Sequence, residues 1–254
     1  MTQANLSDDI VRPTSRKDRH RSLIRRPLHV LLAVLSVYLL LAYVLVPWIW
    51  RKTDAEQAWL ATADALTLTG DGHPGDPINL ALIGGETELK QVLSQAGWTI
   101  ADSLSVRNDL KIAVDSVLGE SFAQAPVSQL FYFGRPEDFA FEMPVGESPR
   151  HRHHVRFWKA AQPDASGQPV WFGSATYDER VGLSHTTGQV THHIAPDVDQ
   201  ERDHVMQSLH QSAPTTTTYY LDNFHPQRTG FNGGGDPWRT DGRLGVVKLS
   251  ISSR

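Results

Sequence analysis

An uncharged apolar run near the amino terminus constrains this chain of 254 residues more than any other feature. Residues 30–46 contain no charged side chain and are rich in Leu and Val, and the run continues through Trp48 and Trp50. About twenty apolar residues in a helix cross a hydrocarbon core of roughly 30 Å, and tryptophan is enriched where such a helix meets the membrane interface. The run therefore predicts a transmembrane helix over residues 28–50 rather than a buried core helix.

The charges on either side of this run predict its orientation. Residues 1–27 carry seven Lys/Arg, whereas residues 51–56 carry two basic and two acidic side chains. Because basic residues stay on the cytoplasmic side, residues 1–27 are predicted to be a cytoplasmic tail. The alternative is a cleaved signal peptide, but the run is long for one, and the nearest small-x-small site, Ala61-Thr62-Ala63, lies well beyond it. We expect an uncleaved single-pass anchor in the inner membrane, with a periplasmic domain after it.

Composition excludes several classes of function. The net charge of −4 hides an asymmetry, because the residues after position 27 contain 17 basic and 25 acidic side chains, a net charge of −8. Such an acidic domain is not expected to bind nucleic acid. The chain has no cysteine, which excludes disulfides and thiolate zinc sites. Roughly 200 residues outside the membrane are enough to form a hydrophobic core.

The rest of the chain alternates helical and strand-like patterns. Residues 51–77 predict a juxtamembrane helix from Asp54 to Leu66 and a turn-rich linker over Gly70–Pro77, followed by a domain over residues 78–254. The predicted strands are Ile78–Ile83, Leu130–Phe133, Phe139–Glu142, His153–Trp158, Val170–Tyr177, Val190–Ile194, Thr217–Leu221 and Leu244–Ile251, and the predicted helices are 86–96, 106–118 and 197–209. This mixture predicts an α+β fold with a mostly antiparallel mixed sheet and flanking helices, in which Val170–Tyr177 pairs with Val190–Ile194.

Two glycine-rich segments invite a functional interpretation. Gly84-Gly85 lies between a predicted strand and a helix, but it lacks the full glycine fingerprint of a dinucleotide site, and plain packing is the favoured explanation. Asn232–Pro237 is predicted to be a flexible loop, which leaves open a lid or a surface connection.

Four segments in a fixed order carry a family resemblance. They are Ala125–Ser128, Phe133–Asp138, Arg152–Trp158 and Thr191–Asp203. Together they resemble the LssY C-terminal domain family over about residues 78–212. The resemblance implies an accessory domain of bacterial envelope proteins, which also occurs fused to PAP2-type phosphatase or DedA-like membrane segments. Because a single span is predicted here, the phosphatase chemistry of such a neighbour is not transferred to this chain.

Two histidine-rich tracts, Arg150–Trp158 and Thr191–Asp199, mark the candidate site. Side chains of a strand alternate between its two faces. Alternation places His151, His153, Val155 and Phe157 on one face and Arg150, Arg152, His154, Arg156 and Trp158 on the other. The first face is predicted to be core, where His153 and His192 could meet.

The leading hypothesis is that these tracts bind an anionic, phosphate-bearing ligand, such as a lipid headgroup or an envelope polymer. The residues assigned to this site are Arg135, Arg150, Arg152, His154, Arg156 and His193. The alternative is a solvated basic strand face that pairs with acids such as Asp178, Glu179 and Asp138.

A second hypothesis is a metal-dependent phosphoester hydrolase. A divalent ion such as zinc would be held by His151, His153, His192 and Asp197 and would activate a water molecule. No HExxH motif supports it, and Asp197 can instead cap the following helix with Gln200. A metal-free acid–base enzyme is a further possibility, but the sequence contains no G-x-S-x-G motif that would support a hydrolytic triad.

A third hypothesis is a structural or accessory subunit of an envelope or secretion complex, with protein partners. The sequence therefore leaves open whether the protein is an enzyme.

Overall fold

The computed structural model describes residues 29–101, 129–146, 151–186, 190–213 and 216–249, which divide into two compact units at residues 54 and 55. Several features of the sequence analysis lie outside these ranges. They are the tail 1–27, the predicted helix 106–118, the motif Ala125–Ser128 and Arg150.

The described residues of the first unit form a helix. Its backbone is helical from residue 29, with π-helical turns over Leu41–Leu45 and α-helical geometry in α1, Val46–Ala61. The segment His29–Ile49 is long and apolar enough to cross a membrane, and none of its residues is buried. The helix predicted from the apolar run is confirmed, and it is a candidate membrane anchor.

The second unit begins with the last residues of α1 and contains two further helices and fourteen strands among the described residues. The helices are α2, Glu86–Gln95, and α3, Val198–Ser212. The strands are β1 (Leu66–Thr69), β2 (Pro74–Pro77), β3 (Leu80–Ile83), β4 (Thr99–Ile100), β5 (Leu130–Tyr132), β6 (Arg135–Pro136), β7 (Phe139–Pro144), β8 (Arg152–Lys159), β9 (Val170–Leu183), β10 (Val190–Ile194), β11 (Thr217–Leu221), β12 (Thr229–Phe231), β13 (Pro237–Arg239) and β14 (Leu244–Lys248).

An eight-stranded sheet forms the centre of this unit, in the order β11-β14-β3-β9-β8-β7-β4, with β10 paired to β9. The β14–β3 pair is parallel and the other pairs are antiparallel. Asp178 of β9 pairs with both Arg152 of β8 and Ile194 of β10, so β8 and β10 lie on opposite edges of β9. The predicted α+β class, with a mostly antiparallel sheet, is confirmed. The predicted pairing of Val170–Tyr177 with Val190–Ile194 is wrong in its register, because β9 continues to Leu183 and β10 pairs with residues 178–183 of that extension.

Both faces of the central sheet are covered, which explains the uninterrupted apolar run of β3. Its four residues are all fully buried. Leu80 and Leu82 pack with α2 and α3 on one face, and Ala81 and Ile83 pack into a second core on the other. A strand buried on both faces needs apolar side chains at every position, whereas a half-exposed strand would alternate.

The second core is covered by the small sheet β2-β1-β5-β6 and by Trp59 and Leu60. The sequence predicted a helix over Asp54–Leu66 and a linker over Gly70–Pro77, whereas the structure has strands of this sheet in part of that segment. The helix ends at Ala61, and β1 pairs with β2 and β5. Its short strands are rich in turn residues, and the pairing of β1 with β5 is distant in sequence, so local patterns gave no sign of it.

Asn79 joins the central sheet to the helix α3. Its buried side chain donates Nδ2–H bonds to the carbonyls of Ala175 and Val198, and its Oδ1 accepts from the N–H of Ala175, all at 2.9 Å. One amide therefore ties the start of β3 to β9 and to the first residue of α3.

We expect Asn79→Ala to lower the free energy of unfolding by roughly 2–5 kcal/mol, because it leaves buried backbone groups of β9 and α3 unpaired. Gln91→Ala is the control, since it removes an exposed amide from α2. Denaturant unfolding of the full chain in a mild detergent measures the difference. Equal stability of the two variants would contradict the role given to Asn79.

Candidate functional site

A strip of polar side chains crosses the central sheet on the face away from α2 and α3. Residues directly opposite each other on neighbouring strands share a face. The pairs Arg152–Asp178, His154–Thr176 and Arg156–Ser174 join β8 to β9, and Glu142 of β7 lies opposite His154. The polar strip is defined by these residues: Glu142, Arg152, His154, Arg156, Ser174, Thr176 and Asp178. The alternation predicted for β8 is observed, but the basic face is largely buried rather than solvated.

Arg152 is the centre of an ion-pair network in the strip. Its side chain is 4% exposed, and its Nη1 and Nε donate to Glu142 Oε2 and Asp178 Oδ2, each at 2.9 Å. Its Nη2 lies 3.1 Å from Nε2 of His192 in β10. Two carboxylates thus lie beside the guanidinium. Its contacts reach three other strands, so Arg152 links four strands and its donors are used within the fold.

Burial fixes the charge states of the neighbouring groups. Desolvation, aided by the positive charge of Arg156, holds the pKa of His154 well below 6.5. Burial acts to raise the pKa of Asp178, but His192, His154 and Arg152 outweigh it and lower that pKa. His154 is therefore neutral at neutral pH, and Asp178 is ionised.

Arg156 differs from Arg152 in its surroundings. Its side chain is half-buried, and it makes no hydrogen bond or ion pair in the part of the chain that the structure describes. Its charge acts on the carboxyl of Asp76 in β2. Burial raises the pKa of Asp76, and the charge of Arg156 offsets only part of that rise. Asp76 Oδ1 also accepts a 2.9 Å hydrogen bond from Nδ2 of Asn232. Arg156 thus retains donors that the described residues do not satisfy.

His153 lies on the opposite face of the sheet, beside the helices. Its Nδ1 is 2.7 Å from Glu201 Oε2, and its ring stacks on His204 with centroids 4.0 Å apart. Burial raises the pKa of Glu201 and lowers the pKa of His204. His192 instead contacts Arg152 and Asp178 on the strip, so the two histidines do not meet as expected. Between His193 and Ile194 the register shifts, because β9 carries one extra residue there, Glu179. Strict alternation along one strand does not predict such a bulge in its partner.

The four residues assigned to a metal by sequence lie in different surroundings. His151 is exposed before β8, and His153 and His192 are on opposite faces of the sheet. Asp197 precedes α3 without a side-chain cap, and its Oδ2 accepts bonds of 3.0 Å from Gln200 and Arg239. The structure does not bring this set together, and the expected capping box is absent at Asp197.

The six residues that the sequence assigned to an anion-binding site do not form one group in the structure. Arg152, His154 and Arg156 share the polar strip. Arg135 pairs with Asp138 at 2.7 Å and donates to the Lys159 carbonyl, while Arg150 lies outside the described residues. His193 lies beside a carboxylate at the far end of β10.

A group of three potential ligands forms at that end of β10. One ligand atom from each of His185, His193 and Asp236 lies within 4.8 Å of the others, and no second group of three or more His, Asp or Glu side chains does so in the described ranges. His193 Nδ1 is 2.5 Å from Asp236 Oδ1, and both side chains are buried, whereas His185 is exposed. His185 and Asp236 were missed by sequence analysis because they lie in different loops, without the regular spacing of a metal motif.

Comparison with known proteins identifies the family. The model of the family described as LssY C-terminus matches residues 53–244, well over half of the chain, and the chain belongs to this family. The match begins before the range of 78–212 assigned from motifs and covers both β1 and β2. No curated protein and no solved structure matched the chain.

We expect the buried neutral His154 to make stability depend on pH. Below its ordinary pKa of 6.5 the unfolded chain takes up a proton at this position that the folded chain refuses, so the free energy of unfolding falls as pH drops below 6.5. His154→Gln should make this fall shallower, while His151→Gln, at an exposed position, should not. Unfolding measured between about pH 5 and pH 7.5 tests this, and equal slopes in the two variants would refute it.

Proposed function

We propose that this LssY C-terminus protein is a single-span, membrane-anchored domain that binds an anionic, phosphate-bearing envelope ligand on the extracytoplasmic side of the inner membrane. In this proposal residues 1–27 are the cytoplasmic tail and residues 28–50 are the anchor. Arg156 supplies the charge that holds the anion.

The contrast between Arg156 and Arg152 carries the proposal. Both lie on one face of β8, but Arg152 is neutralised by Glu142 and Asp178. Arg156 is partly exposed and has no ion pair with a described residue. A guanidinium presents planar paired donors that match phosphate oxygens, and a rigid strand holds them in place.

The surroundings of Arg156 favour an anion over a neutral ligand. Asp76, whose carboxyl is affected by the charge of Arg156, has its pKa raised by burial, which disfavours the ionised carboxylate. Its positive charge also acts on the buried His154, which is kept neutral. A bound phosphate would satisfy the guanidinium donors and offset a positive charge that is only partly solvated.

The second candidate function is a metal-dependent phosphoester hydrolase. The observation in its favour is the group His185, His193 and Asp236, which has the composition of a catalytic metal site with an open position. This ligand set replaces the one proposed from the sequence. Hydrolysis of a phosphomonoester that is lost on chelation would favour this candidate over binding alone.

We expect Arg156→Gln to weaken binding of glycerol phosphate by roughly 10- to 100-fold, because it removes a charge-assisted contact. Calorimetric titration of the full chain in a non-ionic detergent measures the affinity. Arg228→Gln is the matched control, since Arg228 is an exposed arginine just before β12, outside the polar strip.

Vesicles containing phosphatidylglycerol, compared with phosphatidylcholine vesicles, test a lipid headgroup as the source of the same phosphate group. Binding by Arg156→Gln as tight as that of the unmodified protein would sink the proposal. So would an unmodified protein that binds neither glycerol phosphate nor the anionic vesicles.

We also expect a reporter enzyme that folds only outside the cytoplasm to be active when fused to the carboxyl terminus. Replacing the seven basic residues of the tail with Gln should lower that activity, because the tail charges set the orientation. An inactive reporter on the parent chain, with normal expression, would contradict the proposed topology.

A further inference from the structure

We propose that His185, His193 and Asp236 bind a divalent transition-metal ion, with zinc as the first candidate. The site supplies the metal that a hydrolase would need, but it stands whether or not Arg156 binds an anion. Its three ligands come from two separate segments: the end of the β9–β10 hairpin and the loop between β12 and β13.

The ligand atoms are close to the spacing that a metal requires. Ligands about 2.0–2.1 Å from a tetrahedral zinc ion lie about 3.3 Å from one another. In the structure His193 Nδ1 and Asp236 Oδ1 are 2.5 Å apart, which is a hydrogen-bond distance, and one ligand atom of each residue lies within 4.8 Å of the others. A metal ion would release the proton between His193 and Asp236, and side-chain movements would bring the three ligands to metal distance.

The carboxylate of Asp236 is held in place by the backbone around it. Its Oδ2 accepts the Ile194 N–H at 3.3 Å, and its own N–H donates to Oδ1 of Asn232 at 2.8 Å. Asn232 Oδ1 also accepts the N–H of Gly234 at 3.0 Å. Such supporting bonds orient a metal ligand before the ion arrives.

The loop and the hairpin end are joined directly. The N–H of His185 donates to the Gly234 carbonyl at 2.9 Å, and the Thr186 hydroxyl donates to the Gly233 carbonyl at 2.6 Å. Gly235 has a φ of +84°, and a Cβ there would lie 2.7 Å from Cβ of His185. Glycine at this position therefore permits the close approach that brings Asp236 to the two histidines.

The composition of the site favours a borderline transition metal over calcium or magnesium. Two imidazoles and one carboxylate suit zinc, iron, cobalt or nickel, whereas calcium and magnesium prefer oxygen ligands alone. Three protein ligands leave at least one coordination position open, and the exposed His185 side chain places the site at the surface. The open position would take water or an anionic ligand.

The test is metal binding by the full chain, purified in a non-ionic detergent without a polyhistidine tag and stripped with a chelator. We expect about one zinc ion per chain after titration and desalting. His185→Gln should weaken zinc binding roughly 100-fold or more, since even loss of an outer contact costs 10–100-fold. Asp236→Asn should do the same. Cobalt absorption in the visible region provides a second reading of the ligand geometry.

Three further variants make the assignment specific. His73→Gln, which removes an exposed histidine near Asp71, should leave zinc binding unchanged. His153→Gln should also leave zinc binding unchanged, because His153 belongs to the ligand set suggested by the sequence and not to this site. Arg156→Gln should retain zinc, so failure of the metal site and failure of the anion proposal give different results.

Two results would overturn the inference. One is a parent chain that retains none of zinc, iron, cobalt or nickel in stoichiometric amount. The other is a His185→Gln variant that binds zinc as tightly as the parent. Because the His185 side chain is exposed, this variant is expected to fold, and its unfolding midpoint without metal should match that of the parent.

Discussion

Burial of the central sheet on both faces is the constraint on which the polar groups of this protein depend. A charge removed from water costs several kcal/mol unless a partner compensates it. Arg152 therefore has Glu142 and Asp178 beside it, and His154 stays neutral. The need to compensate a buried charge also distinguishes the surroundings of the two arginines of β8. Arg152 is buried and paired within the fold, whereas Arg156 is only partly buried and makes no ion pair with a described residue.

Sequence patterns predicted the parts of the fold that depend on local residue periodicity. The apolar run of the anchor, the buried strand β3 and the helix α2 each carry their pattern within a short segment. The hairpin of β1 and β2 was missed because Pro74–Pro77 resembles a turn, and its pairing through β1 with β5 depends on a segment about 60 residues away. Long-range pairing of short strands leaves little local signal.

The candidate site was harder to predict than the fold. Alternation along β8 correctly grouped Arg152, His154 and Arg156, because that strand is regular over eight residues. It did not bring His192 to the face of His153, because β10 pairs with β9 rather than β8 and its register shifts between His193 and Ile194. His185 and Asp236 come from loops, and only the folded chain brings them together. A histidine-rich tract therefore located the region but not the ligand set.

The length of β9 has a consequence for the dynamics of the molecule. Its first half is held by β3 and β8, but residues 179–183 pair only with β10 among the described residues. A two-stranded ribbon of this kind is marginally stable by itself. Its end is fastened to the rest of the unit by the bonds from His185 and Thr186 to the loop of residues 232–236. Because fewer strands hold this part of β9, its amide protons are expected to exchange with solvent faster than those of the inner strand β3.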